Sequence, residues 1–549
     1  MSGQPTAGSP SYAPVGATEG GPSSAPVGAE GAIPWLGLAA VLLGTFISTL
    51  NTRLSTFGLA DIRGAVHAGF DEGAWVSTAQ TVAQMLIAPI AVWMGAVLGP
   101  RRVLLEAAAA LAVISLLEPF SPNLPMLLAM QFLSGLATGF FVPLTLSFVL
   151  RNMPPRAWAY GVAIYALNLE ISLNISASLE GWYLEHLSWR WIFWQNVPLA
   201  IGMALCLRFA GGPEPVHPDR PRADLFGFAF GGIGLALIYA ALDQGNRLDW
   251  WNSALVWGLM LAGGTLLAAF FVHERRTAHP GFDLKVFFQA PLPRLLLMIA
   301  FLRLTILSTA YIIPQFLQVV RGFRALEVGQ TLVWIAMPQM VVCALAGYLL
   351  RRIDPRLVAT SGFICICVAC LMVAHGLTPL WGSDQFLPSQ LLQALGQSFA
   401  LSGTIFFAVL HLRPQDALSF GAATQIARLM GGEVGQAFIA TFVRVRTQVA
   451  SNLLGQHVRI GDGQVVQRLQ AYGAVTAPAG DPASAPARGA SVLNSVVHSM
   501  ATTQGIIDSM VVVAALTALT LIIIVTRRAA PPGPASHVPL FAPRGALSQ

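Results

Sequence analysis

Residues 225–242 read LFGFAFGGIGLALIYAAL, eighteen apolar residues in a row, with Asp224 before them and Asp243 after. A hydrocarbon core of about 30 Å is crossed by about 20 residues of α-helix, so this run is long enough to span a bilayer. A second run follows near 253–272. Outward from this pair the pattern repeats. Six apolar spans precede it, near 33–61, 74–97, 103–119, 124–150, 157–183 and 190–208. Six follow it, near 292–318, 325–350, 356–376, 386–411, 416–443 and 503–526. The expected fold is an all-α membrane protein of 14 transmembrane helices, arranged six, two and six.

The composition agrees. Of 549 residues, 55% are hydrophobic and 10% charged, where a soluble domain carries roughly 25% charged residues. Lone apolar runs can be core helices of a large enzyme, but a dozen in series need a solvent other than water. The net charge is +6, and Lys285 is the only lysine. The arginines sit mostly in short loops between spans, which argues against a nucleic-acid partner. With the N-terminus inside, the inner loops and the span ends beside them hold seventeen Arg and Lys residues, among them Arg101, Arg102, Arg351 and Arg352, and the short outer loops five. Positive residues stay on the cytoplasmic side, so both termini are expected there.

The expected division is a disordered tail over 1–31, a six-helix bundle over 32–209, a linker with two inserted helices over 210–291, a second six-helix bundle over 292–526, and a cytoplasmic tail over 527–549. The tail at 1–31 lacks the basic start and apolar centre of a signal peptide. An outer loop over 444–502 is unusually long. Its amphipathic first half, Val449–Leu469, is expected to be a periplasmic contact surface.

No glycine loop of the phosphate-cradling kind is present, and neither a nucleophile–base arrangement nor a plausible metal cluster is evident. No catalysis, cofactor or metal is expected. Cys365, Cys367 and Cys370 lie within one apolar span and read as packing residues.

Four motifs are specific. Ser188-Trp189-Arg190-Trp191-Ile192-Phe193 is followed by Asn196-Val197-Pro198. Leu242-Asp243-Gln244-Gly245-Asn246 is followed by Asp249-Trp250-Trp251. Pro314-Gln315-Phe316-Leu317-Gln318 closes one span, and Arg351-Arg352-Ile353-Asp354-Pro355-Arg356 follows another. In this order they resemble the fourteen-helix drug:proton antiporter family of the major facilitator superfamily, over about residues 40–526. The resemblance implies export of small amphipathic or drug-like molecules across a bacterial inner membrane by alternating access, coupled to protons. It also implies, as further partners, a periplasmic adaptor and an outer-membrane channel.

The departures from the family are as informative. In the cytoplasmic loop after helix two, Gly99, Arg101 and Arg102 keep the pattern, while Val92 replaces a glycine and Ala96 an aspartate that serves as a latch. Asn51 stands where helix one of the family carries Asp, and Gln131 where helix four carries Arg. Their joint loss is coherent: one charge alone would cost about 2.5–3.5 kcal/mol at membrane depth, whereas two amides can hydrogen-bond instead. In helix five, Ser176 and Ala177 replace the family's Gly-Pro, and Gly181 survives.

Charged residues at membrane depth are functional candidates. Arg53, Glu170, Glu180, Arg303 and Glu433 are the candidates for substrate or proton coupling, with Arg53 expected to pair with Glu170 or Glu180. Arg428 is expected to pack. Glu106, Glu118 and Asp508 lie near span ends and are expected to face water. Two other readings of the chain stand beside proton-coupled export: a facilitator or lipid exporter without proton coupling, and a membrane sensor or scaffold that no longer transports.

Overall fold

The computed structural model describes residues 35–153, 157–210, 224–277, 292–411, 417–459, 461–476 and 485–526. The two tails and most of both polar links lie outside them. Thirteen helices among the described residues are long and apolar enough to cross a membrane. They are α1 (Trp35–Phe57), α2 (Trp75–Val97), α3 (Pro100–Leu117), α4 (Leu124–Leu150), α5 (Trp158–His186), α6 (Trp191–Phe209), α7 (Leu225–Gly245), α8 (Ala254–Arg276), α9 (Leu292–Val319), α10 (Ala325–Leu350), α11 (Pro355–Gly376), α12 (Ser383–Val409) and α14 (Ala485–Val525). One more long helix, α13 (Ala417–Gly455), is less apolar because it carries Arg428, Glu433, Arg444 and Arg446. It packs against α2, α4, α9 and α14.

Helices α1–α6 form one bundle, in which α1 lies against α5 and α6, α2 against α4, and α3 against α6. Helices α9–α14 form the other, with α12 between α10 and α11 and α14 between α11 and α13. The inserted α7 and α8 pack on each other, and α7 also lies along α2 and touches α13.

The bundles meet on two seams. On the first, α5 crosses α10 at small residues. A Cβ on Gly329 would stand 2.5 Å from the Ser178 backbone, and one on Gly181 2.4 Å from the Leu326 nitrogen. Small residues of this kind let helix backbones approach in a membrane, where packing rather than hydrophobic exclusion drives association. This explains the glycine that survives in helix five. Further along, Gly347 meets the Tyr160 ring, and Arg351 stacks over the same ring at 5.6 Å. The seam is therefore packed from end to end. On the second seam, a Cβ on Gly421 of α13 would stand 2.3 Å from the Pro143 carbonyl of α4.

The turn between α2 and α3 shows how the altered loop is held. Gly99 has φ +86°, a conformation that costs other residues about 1–2 kcal/mol. It delivers Arg101 to the end of α6, where the guanidinium donates to the Leu207 carbonyl at 2.8 Å and the Arg208 carbonyl at 2.9 Å. The last carbonyls of a helix lack intrahelical partners and attract cations. The latch here is an arginine on a helix end.

The segment 444–502, expected as a loop, is largely helical. Helix α13 runs twelve residues past 443 to Gly455, because no Gly or Pro interrupts 436–454. A helix at Gly463–Thr476 then packs on the early part of α14, close enough that a Cβ on Gly489 would stand 2.2 Å from the Leu469 carbonyl. Arg446 of α13 bonds Asp508 of α14 at 2.6 Å, so Asp508 is engaged in an ion pair instead of facing water alone.

Replacing Gly329 by Val should wedge the α5–α10 seam apart and lower the melting temperature of the purified protein, overpacking costing about 1–3 kcal/mol. Gly264→Val on α8, where a Cβ meets nothing within 4 Å, is the control and should shift stability by less than about 0.5 kcal/mol.

Candidate functional site

The interior of the bundles is polar, and one proline organises part of it. In an α-helix the Ala310 carbonyl would accept from the backbone nitrogen of residue 314. That residue is Pro314, which has no N–H. Helix α9 widens into a π turn at Ser308–Ile312, a feature common at functional sites. The Ala310 carbonyl instead accepts from Nη2 of Arg53 at 2.7 Å, while the same guanidinium lies over the Phe57 ring at 5.2 Å. A contact between α1 and α9 joins the two bundles. The expected ion pair from Arg53 to Glu170 or Glu180 is not formed, because this freed carbonyl takes the guanidinium first. Neither carboxylate has a hydrogen-bond partner among the described residues.

Deeper lie the other predicted charges. Glu170 of α5 is fully buried, and the charges acting on it are those of Arg303 on α9 and Arg428 on α13. Arg303 lies against Gly432, whose Cβ, if it had one, would stand 3.9 Å from the arginine Nε. The glycine therefore makes room for the guanidinium against α13. Arg428 donates to Gln425 at 2.8 Å, one turn back on its own helix, and it acts on Glu170 and Tyr165 rather than only packing. Glu433 lies beside the Tyr239 hydroxyl of α7. The structure thus gathers Glu170, Arg303 and Glu433 in one interior, with Arg53 at its edge. Glu180 lies apart, buried beside Gly58 and Asp61 near the outer turn of α1.

Two amide networks line this interior. On the first bundle, Asn196 donates to Asn51 at 2.8 Å, Asn51 to Ser134 at 3.0 Å, and Gln131 to Ser55 at 3.3 Å. The two substituted positions are thus joined through serines, and Asn196 of the tryptophan-rich motif is the residue that holds Asn51. Between the bundles, Asn174 of α5 donates to Gln339 of α10 at 3.4 Å and to Gln397 of α12 at 3.3 Å. Gln397 reaches Thr309 at 2.8 Å, and Gln393 reaches Ser308 at 3.1 Å, both at the π turn of α9. The sequence carried a signal for this ladder in Gln393 and Gln397, two amides one turn apart on one helix face.

The inserted pair is tied into the same interior. Asp249 and Trp250 adopt left-handed backbone, with φ +58° and +44°, which folds the Trp250 ring onto Gly245. A Cβ there would stand 2.5 Å from the ring. Trp250 then donates to Thr441 of α13 at 2.9 Å, and Thr441 donates to Asn246 at 3.3 Å. The Asp-Gln-Gly-Asn and Asp-Trp-Trp motifs are the two faces of this grip. Asp249 is itself held by Asn252 at 2.7 Å and by Arg444 at 3.4 Å, and these donors pull its carboxyl below the usual carboxylate range.

One position overturns its expectation outright. Glu118 does not face water but is fully buried. A 3₁₀ turn, Glu118–Phe120, continues α3 and packs on α4 and on the Trp191–Trp194 turn, which tucks the side chain inward. Glu106 does face water and pairs with Arg102 at 2.8 Å.

Comparison with known proteins fits this geometry. The Major Facilitator Superfamily profile matches residues 41–436. The chain is 28% identical to the probable multidrug resistance protein EmrY of Escherichia coli over 65% of its length and 68% of the relative's. It is 24% identical to the multidrug export protein EmrB of the same organism over 75% and 80%, and 22% identical to the fatty acid resistance protein FarB of Neisseria gonorrhoeae over 78% and 84%. Among solved structures it superposes on the proton:xylose symporter XylE with a TM-score of 0.56 at 10% identity, covering 92% of this chain and 97% of that one. The human organic anion transporter MFSD10 gives 0.54 at 14% identity, over 90% and 98%. At these identities the structures speak to the fold alone.

The amide network predicts a reciprocal effect. Asn51→Asp alone buries a charge without a partner and should destabilise the protein by about 2.5–3.5 kcal/mol. Adding Gln131→Arg should recover a large part of that loss, as read by thermal unfolding of the single and double variants.

Proposed function

The chain belongs to the Major Facilitator Superfamily, and from that premise we propose that it exports small amphipathic, drug-like molecules across the bacterial inner membrane, driven by proton entry. The observation carrying this reading is the charged interior, in which Glu170, Arg303, Arg428 and Glu433 come from α5, α9 and α13, so that both bundles contribute. Charges are retained at such depth where they serve transport. Relatives named for multidrug export support the substrate class.

Alternating access then takes a specific form. Fourteen helices cross the membrane with both termini in the cytoplasm, since the arginine-rich turns at Arg101–Arg102 and Arg351–Arg352 share one end. The two bundles rock about the α5–α10 seam and expose the interior to each side in turn. Substrate binding among Arg303, Arg428 and the amide ladder competes with the bundle-to-bundle contacts of Asn174 and Arg53. Protonation of buried carboxylates removes the attraction that holds the arginines, which couples the two events. The helical extension beyond 443, with Leu453 and Val475 exposed on it, is the surface we assign to a periplasmic adaptor leading to an outer-membrane channel.

A second reading is favoured by the arginines. Three cations, Arg53, Arg303 and Arg428, enter the interior, and one relative is named for fatty acid resistance. Amphipathic acids, including lipids, would place a carboxylate between Arg303 and Arg428, with no need for a coupled proton.

Energised efflux of ethidium and of decanoate from cells producing the protein separates the two readings. Ethidium efflux abolished by a protonophore supports coupled export of drug-like molecules. Decanoate efflux that survives the protonophore supports the second reading. Glu170→Gln should lower coupled efflux by about tenfold or more, the scale for removing a proton-transfer group. Full coupled activity in both Glu170→Gln and Glu180→Gln would remove these carboxylates from the mechanism.

A further inference from the structure

The inserted helix α7 lays a line of hydrogen-bonding groups from the outer surface to the interior. At the surface, a depression of about 500 Å³ is lined by Asp71, Trp75, Leu128 and Arg247. Arg247 bridges it, donating to Asp71 at 2.7 Å and to Gln244 at 2.8 Å. Gln244 in turn donates to Thr78 of α2 at 2.7 Å and to Asp243 at 3.1 Å. The Thr78 hydroxyl donates to Asp243 as well. One turn further in, Tyr239 lies on the same face of α7 as Asp243, with Thr81 of α2 and Glu433 of α13 beside its hydroxyl. Apolar side chains seal this line from lipid: Met85, Val82 and Leu86 of α2, and Leu429 and Met430 of α13, surround Tyr239.

We propose that the coupling proton enters along this seam, taken up by Asp243 and passed through Tyr239 to Glu433. This assignment rests on the coupled-export reading and gives it a route. It places a carboxylate pair between α7 and α13, in a chain whose helix one carries Asn51 where the family carries an acid.

The step balances. A proton from outer-side water adds to the Asp243 carboxylate and forms its O–H bond. Tyr239 then gives its own hydroxyl proton to Glu433, and the Tyr239 oxygen is reprotonated from Asp243. The net change is one proton moved from Asp243 to Glu433, with no other bond altered. The groups facing Asp243 are Thr78 on α2 and Gln244, Arg247 and Tyr239 on α7, with Glu433 across the seam. Those facing Glu433 are Tyr239 and Asp243. Two carboxylates a turn apart in depth repel each other when both are charged, so one proton shared between them is the favoured state.

The test uses full-length protein in liposomes, ethidium as the probe and a trapped pH dye. Two rates are read: uphill ethidium movement driven by an imposed pH gradient, and downhill ethidium exchange without one. Tyr239→Phe keeps the ring and deletes only the hydroxyl, so it is the variant least able to disturb packing. In Tyr239→Phe and Asp243→Asn, gradient-driven movement and its proton signal should fall by about tenfold or more, with exchange kept within about twofold. Glu433→Gln should likewise lose gradient-driven movement and its proton signal. Variants that retain gradient-driven movement overturn the relay while leaving coupled export intact. An equal loss of both rates in Tyr239→Phe overturns it too, since that is the mark of a structural role. A wild-type protein without gradient-driven movement of the probe overturns the relay together with the coupling it serves.

Discussion

A guanidinium half-buried between two helical bundles is held most strongly where it finds an oxygen to donate to. Arg53 finds it on the Ala310 carbonyl, and that carbonyl is free only because Pro314 has no N–H to offer it. Hydrogen bonds to charged groups contribute about 1.5–3 kcal/mol. A proline on α9 and an arginine on α1 thus create one strong contact between bundles at a place where helix geometry would otherwise provide none. The π turn that accompanies it also presents Ser308 and Thr309 to the amide ladder of α12. Much of the polar interior follows from one missing proton donor.

The rest of that interior obeys the same constraint. Asn51, Gln131 and Asn196 form a neutral network where the family places charges, and serines carry the links between them. Buried charges stand elsewhere in both bundles: Glu118, Glu170 and Glu180 in the first, Arg428 and Glu433 in the second.

The fold was legible because apolar runs and loop charges are imposed by the bilayer one residue at a time, and neither depends on tertiary detail. Glu170, Arg303 and Glu433 stood out for the same reason, as charges within such runs. Asp243 and Tyr239 did not stand out. Asp243 ends an apolar run, where a charge normally meets water, and only the packing of α7 on α2 and α13 buries it. Glu118 was misread from the same cause, since distance along a span is a poor guide to depth when a 3₁₀ turn redirects the chain. Helix α13 was cut short at 443 because apolarity ended there, although nothing in the backbone did. The contact of Arg53 required knowing which helix faces it, which no linear pattern contains. The four motifs were legible as signatures, but their physical meaning was not: Asn196 holds Asn51, and Trp250 grips α13.

The inserted pair is more than a spacer between the halves. Helix α7 touches α2 through Thr78 and α13 through Glu433 and Thr441, so it is attached to both bundles at once. If the bundles rock, one set of these contacts has to yield. The contacts to α13 include a tryptophan held by a strained turn, and the Cβ-free Gly245 beneath it, which together make a stiff grip. The contacts to α2 are more extensive: beside the Thr78 and Gln244 bond, a Cβ on Gly232 would stand 2.5 Å from the Leu86 carbonyl. A helix packed along the first bundle and pinned to the second by one tryptophan grip would feel any relative movement of the bundles at the smaller of its two contacts. That contact is the one between Tyr239 and Glu433, so a change of charge on Glu433 and a change in how the bundles sit would act on the same place.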